Sequence, residues 1–341
     1  SESYIGDELD ALRRNGIDVA LSREMPAWGG GVSRVPGPIH ESLEDGIAAH
    51  DPDLVLVHWG QFAISIRDRL VAARMPYAVR THSFDGGLGA ADLIDEWCVG
   101  VWTPPGIDLA HPSAHQLATL IVDPPDGVAD DELRTGRLLS LSAALPKKGW
   151  PVLLDAVAML PDTDLDVYMA LTDGFPDVPE TVMTLARERG LAIDLRVDVP
   201  FDVAQDAVRR AGAIVYAIRG DQHIGQPRSV IEAALAGTPL VVPEHPMFTA
   251  LLGRTCHTYR RDDPRSLAAA IDDALHRPHP LGARRDLALR VAHGHASQAV
   301  FADWADSLTD AFVDWRRVRR DGRLGAVTSW WSSELRRRLA I

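Results

Sequence analysis

Short apolar runs alternate with amphipathic stretches through the second half of the chain. The runs are about five residues long, as buried strands are, and the stretches between them carry apolar residues three or four positions apart, as helices do. Strands that alternate with helices form a parallel sheet covered by helices on both faces. We therefore predict strands over 138–142, 165–170, 193–197, 213–218 and 239–242 and helices over 152–160, 180–189, 203–211 and 228–236.

The first half repeats this alternation less clearly. Apolar runs and helical spacing predict strands over 17–21, 54–57, 77–81 and 97–102 and helices over 1–14 and 61–73. The Gly- and Pro-rich segments 22–40 and 83–137 are predicted to be loops, apart from the strand at 97–102. A domain of this kind normally begins with a strand, so we expect a first strand upstream of Ser1.

Helical residues dominate from about residue 298 to the end of the chain. Apolar side chains spaced by three or four form one helix face there, namely Phe301, Trp304, Leu308, Phe312 and Trp315. A helix that follows a complete sheet has no strands of its own to cover, so we predict that it packs back on the first domain. The predicted fold class is α/β, with two Rossmann-like domains facing a cleft, over 1–136 and 137–300, and a helical segment over 301–341.

Composition narrows the range of functions. A chain of 341 residues has room for about two domains. Its 35 Lys and Arg against 48 Asp and Glu give a formal charge of −13, the opposite of the basic excess typical of nucleic-acid binding, so we expect no nucleic-acid partner. Cys98 and Cys256 are the only cysteines, too few for a disulfide scaffold, and favour a reducing cytoplasm.

The C-terminal tail over 329–341 has two interpretations. It combines aromatic, Leu and Arg side chains, as an interfacial membrane anchor does, and a helix docked on its own protein shows the same pattern. We favour docking. No apolar run approaches the roughly 20 residues of a membrane-spanning helix.

Two loops of the second domain follow strands whose carboxyl ends are where ligands bind in such sheets. The loop after the strand at 138–142 carries Lys147 and Lys148 just before a helix. The loop after the strand at 213–218 passes through Gly225 into another helix. Helix N-termini attract phosphates through their unpaired amides and dipole, so both loops are candidates for phosphate binding.

Glu232 lies one turn into the second of these helices. A carboxylate at that position could accept hydrogen bonds from both hydroxyls of a ribose. Taken singly, the lysines fit a solvated turn and the glutamate fits a surface helix. Their combination on neighbouring strand ends favours a nucleotide site.

These residues belong to longer patterns that resemble a known family. Leu-Ser-Leu-Ser at 139–142 is followed by Pro-Lys-Lys-Gly at 146–149, and 225–242 reads Gly-x-Pro-x-x-x-x-Glu-Ala-x-x-Ala-Gly-Thr-Pro-Leu-Val-Val. Both resemble the donor domain of family-4-type retaining glycosyltransferases of the GT-B fold. The opening helix and the histidine segment at 79–85 resemble that family's first domain, and the whole resemblance covers about 1–85 and 137–280.

The resemblance implies an enzyme that transfers a sugar from a nucleoside diphosphate to a hydroxyl-bearing acceptor, with retention of configuration. It implies no cofactor and no metal, the nucleotide sugar being a substrate. Lys148 would contact the donor diphosphate, Glu232 the ribose, and His82 the transferred sugar from across the cleft. The backbone that would hold the phosphates or the sugar lies around Gly225, Ser229 and Val230.

Two positions depart from the family pattern. Ala143 stands where the family has an arginine, and Ile224 stands where it has the first of two glutamates. Loss of one charge-assisted contact typically costs about 1.5–3 kcal/mol, roughly one to two decades in affinity. Arg219 and Arg228 flank the same loop, and we predict that they restore the positive charge.

The acceptor is not specified by the sequence. His58, Trp59 and Asp85 are candidates for the acceptor side, and either a specialised metabolite or a glycan or glycolipid precursor fits. Two alternatives stay open. One is a non-catalytic GT-B protein that binds a nucleotide or glycan as a partner, and the other is a GT-B enzyme with a nitrogen or sulfur acceptor.

Overall fold

The computed structural model describes residues 3–22, 39–40, 42–82, 88–105, 109–121, 124–172, 174–220, 222 and 225–320. These residues form two compact units. One contains the described parts of Ser1–Leu43 and Ala118–Phe301, and the other contains those of Glu44–Leu117 and Ala302–Ile341.

The described helices are α1 (Ser3–Arg14), α2 (Leu43–His50), α3 (Gly60–Ala72), α4 (Ala90–Leu93), α5 (Trp150–Val157), α6 (Val178–Glu188), α7 (Phe201–Arg210), α8 (Arg228–Leu235), α9 (Pro246–Leu252), α10 (Pro264–His276), α11 (Leu281–His295) and α12 (Gln298–Arg320). The strands are β1 (Leu21–Ser22), β2 (Ile39–His40), β3 (Val55–His58), β4 (Tyr77–Arg80), β5 (Cys98–Thr103), β6 (Ala114–Gln116), β7 (Leu138–Ala143), β8 (Leu165–Ala170), β9 (Ile193–Val197), β10 (Ala213–Val215), β11 (Leu240–Pro243) and β12 (His257–Tyr259).

The larger unit is built on a six-stranded parallel sheet in the order β12-β11-β10-β7-β8-β9. Successive residues of β7 point to opposite faces, so Leu138 joins the apolar core on one side and Leu139 the core on the other. The α/β fold with helices on both faces of this sheet, predicted from the alternation of apolar runs and helices, is confirmed.

The end of this unit differs from the prediction. The sequence gives no clear apolar run at β12, which is only three residues long and begins with His257 and Thr258, so this edge strand was not predicted. β10 is also shorter than the predicted strand at 213–218, although Tyr216, Ala217 and Ile218 are buried. The chain therefore stays buried for three residues after the strand hydrogen bonds of β10 end.

The smaller unit contains a four-stranded parallel sheet in the order β3-β4-β5-β6. From Ala302 onward α12 belongs to this unit. The indole Nε1 of Trp102 in β5 donates to Ser307 Oγ at 3.2 Å, and Nε1 of Trp315 donates to the carbonyl of Glu96 at 2.9 Å. The prediction that the terminal helix packs on the first domain is confirmed.

Three predictions for the first half are wrong. The segment 22–40, predicted to be a loop, contains Ser22 of β1 and all of β2, and its residues 23–38 lie outside the described part of the chain. Residues 17–20 are not a strand, because the chain leaves α1 through Gly16 at φ 83°, and the Ile17 amide donates to the Leu12 carbonyl at 3.1 Å. The segment 83–137, predicted to be a loop with one strand, also contains α4 and β6. Short elements such as these have too few residues for a periodic pattern.

The C-terminal tail over 329–341 lies outside the described residues, so its two interpretations are not distinguished. Of the helices that the structure describes, none combines the length and apolar character needed to span a membrane.

The turn after α8 is held by a close contact between the Gly237 backbone and the Val128 side chain, and by two arginines. Gly237 has φ 64°, and a Cβ there would lie 2.3 Å from Val128 Cγ1. Its carbonyl accepts from Arg134 Nη2 at 2.9 Å and from the buried Arg284 Nη1 at 2.6 Å. Two guanidinium groups therefore satisfy the Gly237 carbonyl just beyond the carboxyl end of α8, where the helix dipole favours positive charge.

Gly237→Ala should lower the free energy of unfolding by about 2–4 kcal/mol, because the methyl group overlaps Val128 and the positive φ is unfavourable for alanine. Gly190→Ala is the matched control, since Gly190 also follows a helix at φ 68° but has open space around it. Its cost should be about 1 kcal/mol. Urea unfolding of both variants checks this, and equal losses would contradict the role assigned to Val128.

Candidate functional site

The loops after β7 and β10 lie in contact at the carboxyl end of the larger sheet. Gly149 has φ 56°, and a Cβ there would lie 3.0 Å from the backbone nitrogen of Ile218. The Arg219 amide donates to the Lys147 carbonyl at 3.0 Å. Because β7 and β10 are neighbours, the two loops singled out from the sequence are brought together.

Lys148 is the central cation of this arrangement. Its Nζ lies 3.4 Å from the Tyr216 hydroxyl oxygen and 4.7 Å from the centroid of the same ring. The aromatic face supports the ammonium group through a cation–π contact. Burial lowers the pKa of Lys148 to about 8.

Lys147 shares this environment. Burial and, to a smaller extent, the charge of Lys148 lower its pKa to about 8. These are the only two lysines in the chain, against 33 arginines. The lysines are therefore concentrated in one loop, where each is charged at neutral pH and within reach of losing its proton.

The ring beneath Lys148 is itself fixed. Tyr216 is buried, and its backbone carbonyl accepts from the Tyr259 hydroxyl at 3.2 Å. The Phe248 ring meets Tyr216 edge-on, with centroids 5.7 Å apart. Burial raises the pKa of the Tyr216 hydroxyl, which therefore stays protonated. The position of the Lys148 ammonium is thus set by a rigid aromatic support.

Helix α8 places Glu232 in the interior. Its side chain is 6% exposed, and Oε1 accepts from Arg228 Nε at 2.5 Å, four residues earlier. The Arg228 guanidinium also lies over the Phe201 ring, 5.4 Å from its centroid. A ribose at Glu232 would have to share the carboxylate with Arg228 or replace it.

The remaining residues predicted at the donor side lie in the segment before α8 and in the first turn of this helix. Gly225 and Ser229 are half-buried, and Val230 is buried. The Val230 amide donates to the Pro227 carbonyl at 3.1 Å, so it is engaged within the first turn of the helix. Arg219 is exposed at the start of the second loop.

The segment before α8 is held by contacts that the sequence did not indicate. The Thr119 amide donates to Gln226 Oε1 at 3.0 Å, and its hydroxyl donates to the Gln226 carbonyl at 3.2 Å. Thr119 O lies 2.8 Å from Nδ1 of His295 at the end of α11. The partners are more than 100 residues apart, and nothing in the local pattern marks them.

The smaller unit brings together His58, Trp59 and His82 at the carboxyl ends of β3 and β4. His58 Nδ1 lies 3.3 Å from His82 Nε2. The Trp59 ring centroid lies 5.4 Å from that of His82. Asp85, the fourth residue predicted on this side, lies outside the described residues. Since parallel pairing aligns His58 with Arg80, the register of the two strands was the signal that could have predicted this cluster.

Both imidazoles are uncharged near neutral pH. Burial, followed by the charge of Arg80, lowers the pKa of His58 to about 3. Burial, then His58 and Arg80, holds the pKa of His82 well below its usual value. The cluster therefore offers hydrogen-bonding nitrogens rather than cations.

The backbone at Trp59 is strained. Trp59 has φ 68° and ψ 126°, a region that residues with side chains rarely adopt, and such conformations cost about 1–3 kcal/mol. Its amide donates to the Arg80 carbonyl at 2.8 Å, and its carbonyl accepts from the Ala63 amide at 3.0 Å. The backbone strain at Trp59 lies where the side chains of His58, Trp59 and His82 converge, and strained backbone of this kind is common at functional sites.

No cluster of three or more His, Cys, Asp or Glu side chains suited to a metal ion occurs within the residues that the structure describes. Among the described residues predicted at the donor side, the cationic ones are Lys148, Arg219 and Arg228, with Lys147 next to Lys148.

Comparison with family models and with curated proteins finds no match. Solved structures do match. HepE from Anabaena, solved in complex with UDP-glucose, is 13% identical with a TM-score of 0.72, over 91% of this chain and 95% of that one. Sucrose-phosphate synthase from Thermosynechococcus elongatus is 14% identical with a TM-score of 0.67, over 92% and 93%. The chain has the GT-B fold.

Arg228→Met should lower the free energy of unfolding by about 3 kcal/mol or more, because it removes the cation that compensates the buried Glu232 carboxylate. Arg210→Met is the matched control. Arg210 forms the same (i, i+4) contact with Asp206, but the two side chains are 62% and 59% exposed.

The control should change stability by less than about 1 kcal/mol. Urea unfolding measures both losses, and adding Glu232→Gln to Arg228→Met should recover part of the first. Equal losses in the two single variants would show that the Arg228–Glu232 pair is not energetically distinct.

Proposed function

We propose that this protein is a glycosyltransferase that moves a sugar from a nucleoside diphosphate donor to a hydroxyl-bearing acceptor. The observation that carries the proposal is the Lys148 ammonium held over Tyr216, beside the loop that leads into α8, at the carboxyl end of the larger sheet. The likeness to HepE bound to UDP-glucose and to sucrose-phosphate synthase supports it. UDP-glucose is accordingly the first donor to test.

The donor side suits a departing diphosphate. As the sugar transfers, the bond from its anomeric carbon to the phosphate oxygen breaks, and negative charge grows on that oxygen. A preformed ammonium in a dry site stabilises such charge strongly, because it needs no reorganisation at the moment of reaction. Lys148 has this role in the proposal.

A second cation is needed where Ala143 replaces the family's arginine. Arg228 is committed to Glu232 and Phe201 in this structure. Lys147 lies beside Lys148, and its carbonyl accepts from the Arg219 amide, so these two residues are better placed. We assign the second diphosphate contact to Lys147, with Arg219 at the rim.

His82 is the proposed catalytic contact to the transferred sugar. Its uncharged imidazole can hydrogen-bond a sugar hydroxyl without repelling the positive charge that develops on the ring. In a retaining reaction the leaving phosphate oxygen takes the acceptor's proton as the new bond to the anomeric carbon forms. His58 and Trp59 lie beside His82 on the proposed acceptor side.

A second function is favoured by two observations. The Glu232 carboxylate is hydrogen-bonded to Arg228, and Ala143 lacks the positive charge of the family's arginine. Both features fit a non-catalytic GT-B protein that binds a nucleotide or glycan as a partner. An enzyme with a nitrogen or sulfur acceptor would keep the same donor residues. An assay of sugar transfer distinguishes the non-catalytic protein from an enzyme. The chemical linkage in the product distinguishes a nitrogen or sulfur acceptor from a hydroxyl acceptor.

Lys148→Met should weaken UDP binding by about 10- to 100-fold while leaving uridine binding unchanged, because only UDP carries the diphosphate. Glu232→Gln should weaken both ligands by a similar factor, since both carry the ribose. Calorimetry with UDP, GDP, ADP and dTDP identifies the base, and hydrolysis of the matching nucleotide sugar tests turnover.

Unchanged UDP affinity in Lys148→Met would remove the proposed diphosphate site. Tight UDP binding without turnover over a panel of acceptors would favour the non-catalytic protein. Arg210→Met serves as the control, because it removes a surface cation at an exposed ion pair.

Nucleotide affinity should fall above about pH 8, because Lys147 and Lys148 lose their protons there and the diphosphate binds the charged forms. Each lysine contributes up to about tenfold between roughly pH 7 and pH 9. Lys148→Met should bind more weakly and with a flatter pH profile. With only two lysines in the chain, selective ¹⁵N-lysine labelling follows both ammonium groups directly, and titration of both near pH 10.5 would contradict the prediction.

A further inference from the structure

His58 and His82 form a hydrogen-bonded pair of imidazoles. The two ring planes are 20° apart, the centroids are separated by 5.5 Å, and His58 Nδ1 lies 3.3 Å from His82 Nε2. The rings are therefore joined edge to edge through one nitrogen of each.

Because both rings are uncharged, one hydrogen lies between the two nitrogens. If His58 carries it on Nδ1, then His82 Nε2 accepts and the hydrogen of His82 sits on its own Nδ1. If His82 Nε2 donates instead, then His58 carries its hydrogen on Nε2. In both arrangements the two rings have the same tautomer, so the tautomers of His58 and His82 are coupled.

The backbone fixes His58 relative to His82. His58 ends β3 in register with Arg80 of β4, and the Trp59 amide donates to the Arg80 carbonyl at 2.8 Å. The strained conformation of Trp59 starts α3 at this point and places its ring 5.4 Å from His82. His82 thus contacts the Trp59 ring and the polar edge of His58.

We propose that His58 is a positioning residue for His82, whose Nδ1 hydrogen-bonding character it fixes by holding Nε2. This inference rests on the proposed function, in which His82 contacts the transferred sugar. A single tautomer gives the sugar either a donor or an acceptor at Nδ1, whereas a mixture would leave part of the molecules unable to make the contact.

The first test is ¹⁵N NMR of the ring nitrogens in the nucleotide-free protein. The signals of His58 and His82 are assigned by their loss in His58→Phe and His82→Phe. The expected result is the same single tautomer for both rings, and a mixture of tautomers for His82 in His58→Phe. Opposite tautomers in the wild type, or an unchanged His82 in His58→Phe, would overturn the proposal.

The second test compares two variants that separate hydrogen bonding from packing. His58→Phe keeps an aromatic ring but loses both nitrogens, whereas His58→Asn loses the ring but keeps a polar group near the Nδ1 position. We expect kcat to fall about tenfold in His58→Phe and to recover substantially in His58→Asn, with the Kd for UDP unchanged in both. Full activity in His58→Phe together with a loss in His58→Asn would assign His58 to packing and overturn the proposal.

The two tests distinguish this inference from the function on which it rests. A wild-type protein that binds no nucleotide and transfers no sugar would overturn the proposed function and the catalytic use of His82, even if the rings share a tautomer. An active wild type whose rings have opposite tautomers would overturn the positioning role alone. Thermal unfolding of both variants shows whether a loss of kcat reflects loss of the fold.

Discussion

The candidate donor site depends on a charged group kept away from water. Removing an ammonium ion from solvent is unfavourable, and the pKa of Lys148 near 8 expresses that cost. The Tyr216 ring and hydroxyl offset part of it, and the absence of a Cβ at Gly149 lets the lysine-bearing loop approach the backbone of Ile218, two residues beyond this tyrosine. A diphosphate would supply a counter-charge to the ammonium group, so binding the ligand that we propose would offset more of this cost.

The charged residues around the candidate donor site include both an ion pair and a pair of like charges. The Arg228–Glu232 pair lies within α8, whereas Lys147 and Lys148 are neighbouring cations whose charges repel each other. In the proposed function the neighbouring cations bind the diphosphate. In the smaller unit the contrast is different, because His58 and His82 are uncharged and Arg80 is held by the Leu117 carbonyl at 3.1 Å. In the proposed function, diphosphate binding and sugar contact thus fall to chemically distinct sets of side chains.

The sequence predicted what depends on periodicity and on strand order. The alternation of apolar runs with helices is sufficient for the larger sheet, and strand order places Lys148 and Gly225 at the same edge. Contacts between distant residues leave no local pattern, so neither the anchoring of Gln226 by Thr119 nor the support of Lys148 by Tyr216 was predicted. The strand predicted at 17–21 failed because the end of α1 takes the Ile17 amide. Glu232 was predicted by position, but its pairing with Arg228 depends on side-chain conformation, which spacing alone does not specify.

The concentration of both lysines in one loop has a consequence for the chemistry of the whole surface. Arginine carries nearly all the positive charge of this chain, and guanidinium groups do not react with acylating agents under mild conditions. Apart from the amino terminus, the primary amines are those of Lys147 and Lys148, and their lowered pKa makes them nucleophilic near neutral pH. Beyond the amino terminus, the amines that an acyl donor could modify therefore all lie in one loop, at the candidate nucleotide site.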